Sequence, residues 1–424
     1  MPLPDICLPT QGYLAYRIDH GRRTSKACDL FHLMAGLVEL AAALGKQVWI
    51  PGAGEKLYLS LAVLLLGGSG TAWKSTTLGH TDRILRKLGK VNLMPRTGSK
   101  EAFEKALTQP ATARDEVQIP MPEAPDFAQY HTGAATLLTD ELSLLLDTTG
   151  KDYNRDMRSW LTSLLGRAAR IDHATMGERR QIGDVALTLL ACAPDRWFLT
   201  HTKPVDFLQG LLARPDLICD DGAQPRYGLI STYSEDSFNT LAKVLSEQTA
   251  LTGALDIQRI LEPAAAFERH LREELAPRTT EEPILILDSR RLIHTTRYAA
   301  LYHLAESKDR SISHDAWQRA QILSLYLRKR QVELISRHYA PTPEGHLWKD
   351  VLAYIPYEGG RTRREIVRRF HLYEPHKLRV LTGLEQADLI VRTGRGVPGD
   401  PIRYYRTRPE GEPEDEGEYR GGTS

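Results

Sequence analysis

Glycine, serine, threonine and lysine crowd into one segment of the chain, Gly67-Gly68-Ser69-Gly70-Thr71-Ala72-Trp73-Lys74-Ser75-Thr76. That mixture suits phosphate chemistry. The glycines let backbone N–H groups curl around phosphate oxygens, the Lys74 ammonium reaches β- and γ-phosphates, and the Ser75 hydroxyl ligates Mg²⁺. Read from Gly68, the spacing is that of G-x-x-x-x-G-K-[ST], with Trp73 where the second glycine belongs. A second group of suitable type is Asp140-Glu141, two adjacent carboxylates at the end of the apolar run Thr136 to Thr139. Asp140 would hold Mg²⁺ directly or through water, and Glu141 would orient and polarise the water that attacks the γ-phosphate. Each feature alone has a plainer reading: a Gly/Ser turn before a surface helix, and an acidic helix start supplied by Leu142 to Leu146. Together they favour an ATP and Mg²⁺ site with Lys74 and Glu141 as catalytic residues.

These groups need elements that hold them. Tyr58 to Leu66 is a short, nearly continuous apolar run ended by Gly67-Gly68, as expected of a strand buried on both faces of a parallel sheet. From Lys74 to about Leu88 the spacing of Leu78, Ile84, Leu85 and Leu88 predicts a helix whose N-terminal dipole points at the anion. Asp184 to Ala191 is a further buried-strand candidate, placed where helicase-type ATPases carry a polar sensor. The expected Asn or Thr is not obvious there, and Thr188, Cys192 and Asp195 are the alternatives. Arg214, closing Phe207 to Arg214, is the candidate arginine that senses the γ-phosphate in its own or a neighbouring subunit; its plainer reading is a structural surface arginine.

Around this core the reading gives a leader over residues 1–25 with little structure, then a helix from Lys26 to Leu44. Glu101 to Leu107 is a short helix candidate, and Thr108 to Asp126, rich in Pro and Ala, is a loop or insertion. Asn154 to Ile171 is a helix candidate carrying Arg155, Arg158, Arg167 and Arg170, either a solvated face or a surface for DNA or a second subunit. The ATPase core is assigned to 26–235 and a helical lid or bundle to 236–340, where apolar spacing turns helical.

Residues 341–408 differ in character. His346 to Ile355, Thr362 to Phe370 and Pro375 to Leu389 give helical patterns, and Ile390 to Thr407 gives two strand-like runs, the order of a winged helix. The segment carries a net charge of about +5, which supports DNA contact through Arg361, Arg363, Arg364, Arg368, Lys377, Arg379 and Arg395, with a recognition helix starting near Glu374. Many such domains in ATPases instead mediate protein contacts. The tail, 409–424, is acidic and expected to be disordered.

Composition bounds the rest. The 424 residues carry 55 Lys+Arg against 54 Asp+Glu, so nucleic-acid binding would rest on a local patch and not on a global field. The 4 cysteines lie far apart without C-x-x-C spacing, which argues against a zinc site or a disulfide framework. With no long apolar stretch or signal peptide, the chain is expected to be cytoplasmic and without membrane contact.

The chain resembles the P-loop proteins grouped as domain of unknown function 3987, found in replication proteins of phages, plasmids and integrative elements. The resemblance covers roughly Lys26 to Arg337 and rests on LFHLMAGLVELAAALGKQVWI, LYLSLAVLLLGGSGTAWKSTT, TLLTDELSLLL, FLQGLLAR and YAALYHLAESKDRSISHDAWQRA. Members include loops of the form G-P-S-x-x-x-R-K-S-T, whose length matches Gly67 to Lys74, so that Trp73 replaces an arginine of the family. The resemblance implies an α/β fold: a P-loop NTPase with an AAA+/RecA-like parallel sheet containing an additional strand, a helical lid and a C-terminal winged helix. It implies ATP contacts from Gly67 through Thr76, metal at Ser75 and Asp140, catalysis at Glu141, and a finger role for Arg214. The expected function is that of an ATP-dependent DNA helicase or helicase-like motor of mobile-element replication. Its expected partners are DNA, further copies of itself, with a hexameric ring as one form, and a separate primase or polymerase. The alternatives are a nucleotide-switched DNA-binding initiator or regulator without unwinding, and a nucleotide-binding scaffold that has lost hydrolysis.

Overall fold

The computed structural model describes residues 2–52, 55–96, 100–108, 133–140, 142, 157–166, 171–174, 179–195, 197–198, 202, 207, 210–220, 235–279, 282–338, 343–373, 375–386, 389–395, 397 and 400–407. For 108, 158, 171–174, 179–182, 278, 337–338, 343–344, 346, 375–379 and 386 the description is of the backbone alone. The chain divides into two compact units, Met1–Ser336 and Arg337–Ser424.

The first unit is mixed α/β. Its strands are β1 (Val48–Pro51), β2 (Lys56–Tyr58), β3 (Ala62–Gly67), β4 (Ala134–Thr139), β5 (Ile171–Ala174), β6 (Arg179–Ile182), β7 (Ala186–Pro194), β8 (Asp216–Cys219) and β9 (Gly253–Ala254). Four of them form an all-parallel sheet in the order β4-β7-β3-β8, and Leu93 adds a parallel bridge to Thr136 of β4. Parallel pairing requires crossovers that cover both faces, so these strands read as unbroken apolar runs: AVLLLG in β3 and AATLLT in β4 are buried throughout. The period of two still sorts the side chains. Val63, Leu65, Leu138, Leu190 and Ile218 belong to the main core, on the face covered by α2 (Asp29–Leu44) and α3 (Lys74–Leu88). Leu64, Leu137, Leu187 and Leu189 face the other way, toward Leu161, Leu165, Leu211 and Leu212. A smaller sheet, β2-β1-β9, meets its amino end, where Trp49 and Tyr58 pack with Ala134 and Ala186.

One sequence reading changes here. Residues 12–24, inside the expected leader, form helix α1 (Gly12–Thr24), which packs on α2 and buries Tyr13, Leu14, Arg17 and Ile18. Its polar face conceals the reason. Arg17 and Glu39 are both fully buried and paired at 3.0 Å, and Glu39 also accepts from the Tyr13 hydroxyl and, at 2.7 Å, from Thr81 of α3. A buried carboxylate is tolerated when its lone pairs are filled in this way, and one acid thereby ties three helices together. Helices in the region assigned to a helical lid or bundle, among them Glu235–Gln248, Glu282–Glu306 and His314–His338, fall within the first unit apart from the last two residues of His314–His338.

The second unit contains helices Pro343–Tyr354, Arg363–Phe370 and Pro375–Gln386, with β10 (Arg361–Thr362), β11 (Ile390–Thr393) and β12 (Arg403–Arg406) in an antiparallel sheet ordered β10-β12-β11. Val351, Ile355, Ile366, Leu372, Val380, Leu381, Leu384, Ile390 and Tyr404 make its core. Thr362 and Glu365 close a capping box that fixes the start of Arg363–Phe370. Gly383 is required by packing, because a Cβ there would lie 2.1 Å from the Trp348 ring.

Candidate phosphate-binding site

The carboxyl edge of the parallel sheet collects the groups singled out above. β3 ends at Gly67 and runs into the loop; β7 ends at Pro194, opposite Gly67, and delivers Asp195; β4 ends at Thr139 and delivers Asp140; β8 ends at Cys219 and delivers Asp220. Ligands of open parallel sheets sit at this edge, where strands give way to loops.

The loop is shaped by its small residues. Gly70 has φ +73°, and a Cβ on Gly67 would come within 2.8 Å of the Ala72 methyl. Trp73, by contrast, holds φ 54° and ψ 28°, the left-handed region that glycine enters without strain. The backbone therefore takes a conformation that suits glycine at the position where the motif expects one, although the side chain is a bulky ring. The Trp73 ring is half-buried against the main core, with the Lys26 ammonium 5.9 Å from the ring centroid. Its packing offsets the backbone strain.

Trp73 is also the N-cap of α3, and it supplies no side-chain acceptor; no acidic residue lies in the first turn. The leading N–H groups of a helix have no intrahelical partner, so this terminus carries positive potential without a side-chain anion to cancel it. Lys74 adds a full charge at the same place. Its Nζ donates to Gly67 O at 2.6 Å and Gly68 O at 3.0 Å, so the ammonium lies across the loop that it would serve. Burial lowers the Lys74 pKa, and Cys192, Asp195 and Asp220 oppose that shift, which places all three in the electrostatic surroundings of the ammonium. Ser75 is exposed at the helix start.

Asp140 is half-exposed, and its contact with Arg96 is a loose 4.0 Å. Such an exposed pair is worth little and is readily exchanged for another cation. Between Asp140 and Lys74 sits Cys192: burial pushes its thiol up to about 12, with Lys74 acting downward and Asp140 upward. Of the alternatives for a sensor, Cys192 and Asp195 thus stand at the edge, whereas Thr188 is buried mid-strand opposite Thr136. Asp220 escaped the sequence reading. It follows a four-residue strand with no motif, and its signal is only that a parallel strand ends just before it. Among the described residues no group of three His, Cys, Asp or Glu is arranged to hold a metal ion by itself, so a metal here would draw its remaining ligands from phosphate and water.

Arg214 does not join this group within one chain. It lies two residues before β8 begins, at the amino edge of the sheet, and its Nη1 donates to Gly210 O in its own loop. Burial, reinforced by Arg290, lowers its pKa to about 10. Glu141, Arg155, Arg167, Arg170 and the 409–424 tail lie outside the described residues, as do the side chains of Arg158, Lys377 and Arg379.

In the second unit the basic residues divide. Arg363, Arg364 and Arg368 are exposed on or beside one short helix. Arg361 is half-buried, its guanidinium 5.0 Å from the Tyr354 ring centroid, and Arg395 is exposed but engaged with Asp400 at 3.0 Å. Among the described residues no helix is long and apolar enough to cross a membrane. The chain matches no protein-family model and no curated protein.

Proposed function

We propose that the carboxyl edge of the parallel sheet is an ATP site and that the protein is an ATP-hydrolysing, DNA-directed motor of the helicase kind. The observation that carries the reading is Lys74: a lysine ammonium laid across loop carbonyls at the N-terminus of a helix without a side-chain cap, beside strand-end aspartates. Incoming phosphate oxygens would draw Nζ away from Gly67 O and Gly68 O and take up the free N–H groups of the first turn. The loop Gly67 to Thr76 would enclose the phosphates. Mg²⁺, held by Ser75 and Asp140, would neutralise charge on the β- and γ-oxygens. Glu141 is the residue assigned to orient the attacking water.

The strand order adds support, since β7 stands between the strand that feeds the loop and the strand that delivers Asp140. That is the additional-strand arrangement implied by the resemblance to domain of unknown function 3987. In the second unit, three helices with a three-stranded antiparallel sheet and exposed Arg363, Arg364 and Arg368 support a winged helix that contacts DNA phosphates.

One observation favours the alternative, a nucleotide-operated DNA-binding switch. Arg214 is folded onto its own loop at the opposite edge, so within one chain it does not reach the carboxyl edge to stabilise charge on the γ-phosphate. A second copy would have to supply it, and ring or filament assembly is the motor reading's requirement. ATP turnover with and without DNA in wild type, Lys74→Ala and Glu141→Gln separates the cases. The motor predicts DNA-stimulated turnover lost in both variants and strand separation on a forked duplex; absence of turnover under every DNA condition sinks it, and turnover without strand separation selects the switch.

A further inference from the structure

Helix His314–His338 reaches the carboxyl end of β8 through Arg330. Its Nη2 donates to the main-chain oxygen of Asp220, and its Nη1 pairs with Glu333 at 2.6 Å. The remaining donor, Nε, is buried and has no hydrogen-bond partner. Asp220 is in turn part of the loop's wall. Its N–H donates to Leu66 O at 2.8 Å, and its Cβ and carboxylate lie 3.1 and 3.7 Å from where a Cβ on Gly67 would stand. The chain of contact from Arg330 to Asp220 to Gly67 ends on the carbonyl that accepts from Lys74 at 2.6 Å.

The helix is held elsewhere by contacts of a different kind. Arg328 pairs with Asp288 at 2.8 Å, Gln331 donates to Leu217 O at 3.0 Å, and Arg319 pairs with Glu306, each remote from the loop or fixed to the sheet interior. Arg330 is the described residue of this helix bonded to the strand end that borders the loop, and it has a donor to spare.

We propose that Arg330 is the positioning residue through which the nucleotide state of the loop is transmitted to helix His314–His338. The inference rests on the ATP-site reading. When phosphate draws Lys74 from Gly67 O, the Gly67 to Asp220 wall relaxes, and Arg330, fixed to that wall and carrying an unspent Nε, moves or tightens with it. A buried donor without a partner is costly, so a position of the helix that gave Nε a partner once nucleotide has moved the wall would offset part of the cost of the shift.

The test is hydrogen exchange of the peptides spanning Leu323 to Ser336 in the full-length protein, with and without saturating MgATPγS, alongside binding of a fluorescent ATP analogue. Wild type is expected to bind the analogue and to show at least a threefold nucleotide-dependent change in exchange across this segment. In Arg330→Ala the change should vanish while the analogue still binds; in Arg330→Lys, which keeps the charge, it should be partly restored. Arg319→Ala, which removes an ion pair of the same helix away from the loop, should keep the full response. An undiminished response in Arg330→Ala, or a wild-type helix that binds nucleotide without responding, overturns the coupling and leaves the ATP site standing. If wild type binds no nucleotide, both fall. Should Arg330→Ala fail to fold, the comparison of Arg330→Lys and Arg330→Gln against wild type decides by the same criterion.

Discussion

The two edges of the parallel sheet use charge in opposite ways. At the amino edge Asp216 is buried and pairs with His294 at 2.7 Å, and Arg297, fully enclosed, donates to Tyr58 O at 3.1 Å. Burial lowers the Arg297 pKa to about 10 against the opposing pull of Asp216, so these charges are held inside the protein by fixed local partners. At the carboxyl edge the lysine leans on carbonyl oxygens, Asp140 is half-exposed with a partner at 4.0 Å, and Ser75 is exposed. Neutral carbonyls and a loose ion pair are partners that phosphate and a metal can displace at modest cost; a buried ion pair is not. Charge that is exchangeable marks a binding edge, and charge that is locked marks a structural one.

The comparison breaks first at Lys74 and Asp216. Lys74→Ala should weaken nucleotide binding at least 100-fold while leaving the melting temperature within a few degrees. Asp216→Ala should do the reverse, costing about 3–5 kcal/mol of stability because it removes the carboxylate that opposes the buried Arg297 charge and bonds His294, with an effect on nucleotide affinity that follows only from unfolding. Binding and thermal melts of the two variants check both; equal losses of stability would erase the distinction between the edges.

A smaller effect sharpens the contrast from inside the core. His20 and His80 are buried beside Arg17, and desolvation lowers their pKa values from 6.5 to about 4 and about 3. Below 6.5 the unfolded chain binds protons that the folded chain refuses, so stability is full above that pH and falls as the pH drops toward the folded values. A loss of order 3 kcal/mol per histidine by pH 4 is expected from shifts of this size. His80→Gln should flatten the acid limb of a plot of stability against pH; an unchanged limb would show that other groups set it.

In the second unit, Arg364→Glu combined with Arg368→Glu should weaken DNA binding about tenfold at moderate salt and lower the slope of affinity against salt concentration, because both side chains are exposed on one helix. Affinity and slope unchanged from wild type would remove this face from the DNA account. The smallest effect belongs to Trp73. In an ordinary helix alanine is more stable than glycine by about 1 kcal/mol, but at a left-handed position the order inverts. Trp73→Gly should therefore be more stable than Trp73→Ala by about 1 kcal/mol in denaturant titrations, and the ordinary order would show that the left-handed backbone is not retained.

Much of the site was legible because its elements are local. A buried strand, a loop of small residues and a helix start announce themselves in consecutive positions, and β3, the loop and α3 follow that pattern closely. Two strands of the second unit were equally visible, as IVRT and IRYYRT around Gly394 to Asp400. What the sequence concealed is long-range. Residues 12–24 read as an unremarkable polar segment because Arg17 looks like a surface charge until Glu39, Tyr13 and Thr81 are brought around it. Asp220 and Arg330 stand 110 positions apart, and no spacing rule connects them. The αL backbone at Trp73 was hidden for a different reason: tertiary packing of the ring overrides the local preference against it.

The measurement that bears most directly on the account is the binding of a fluorescent ATP analogue with Mg²⁺ to wild type and Lys74→Ala, each verified as folded by its melting curve. The account predicts saturable binding in wild type that Lys74→Ala weakens at least 100-fold and that unlabelled ATP displaces. Equal binding by the two proteins, or none by folded wild type, would contradict it.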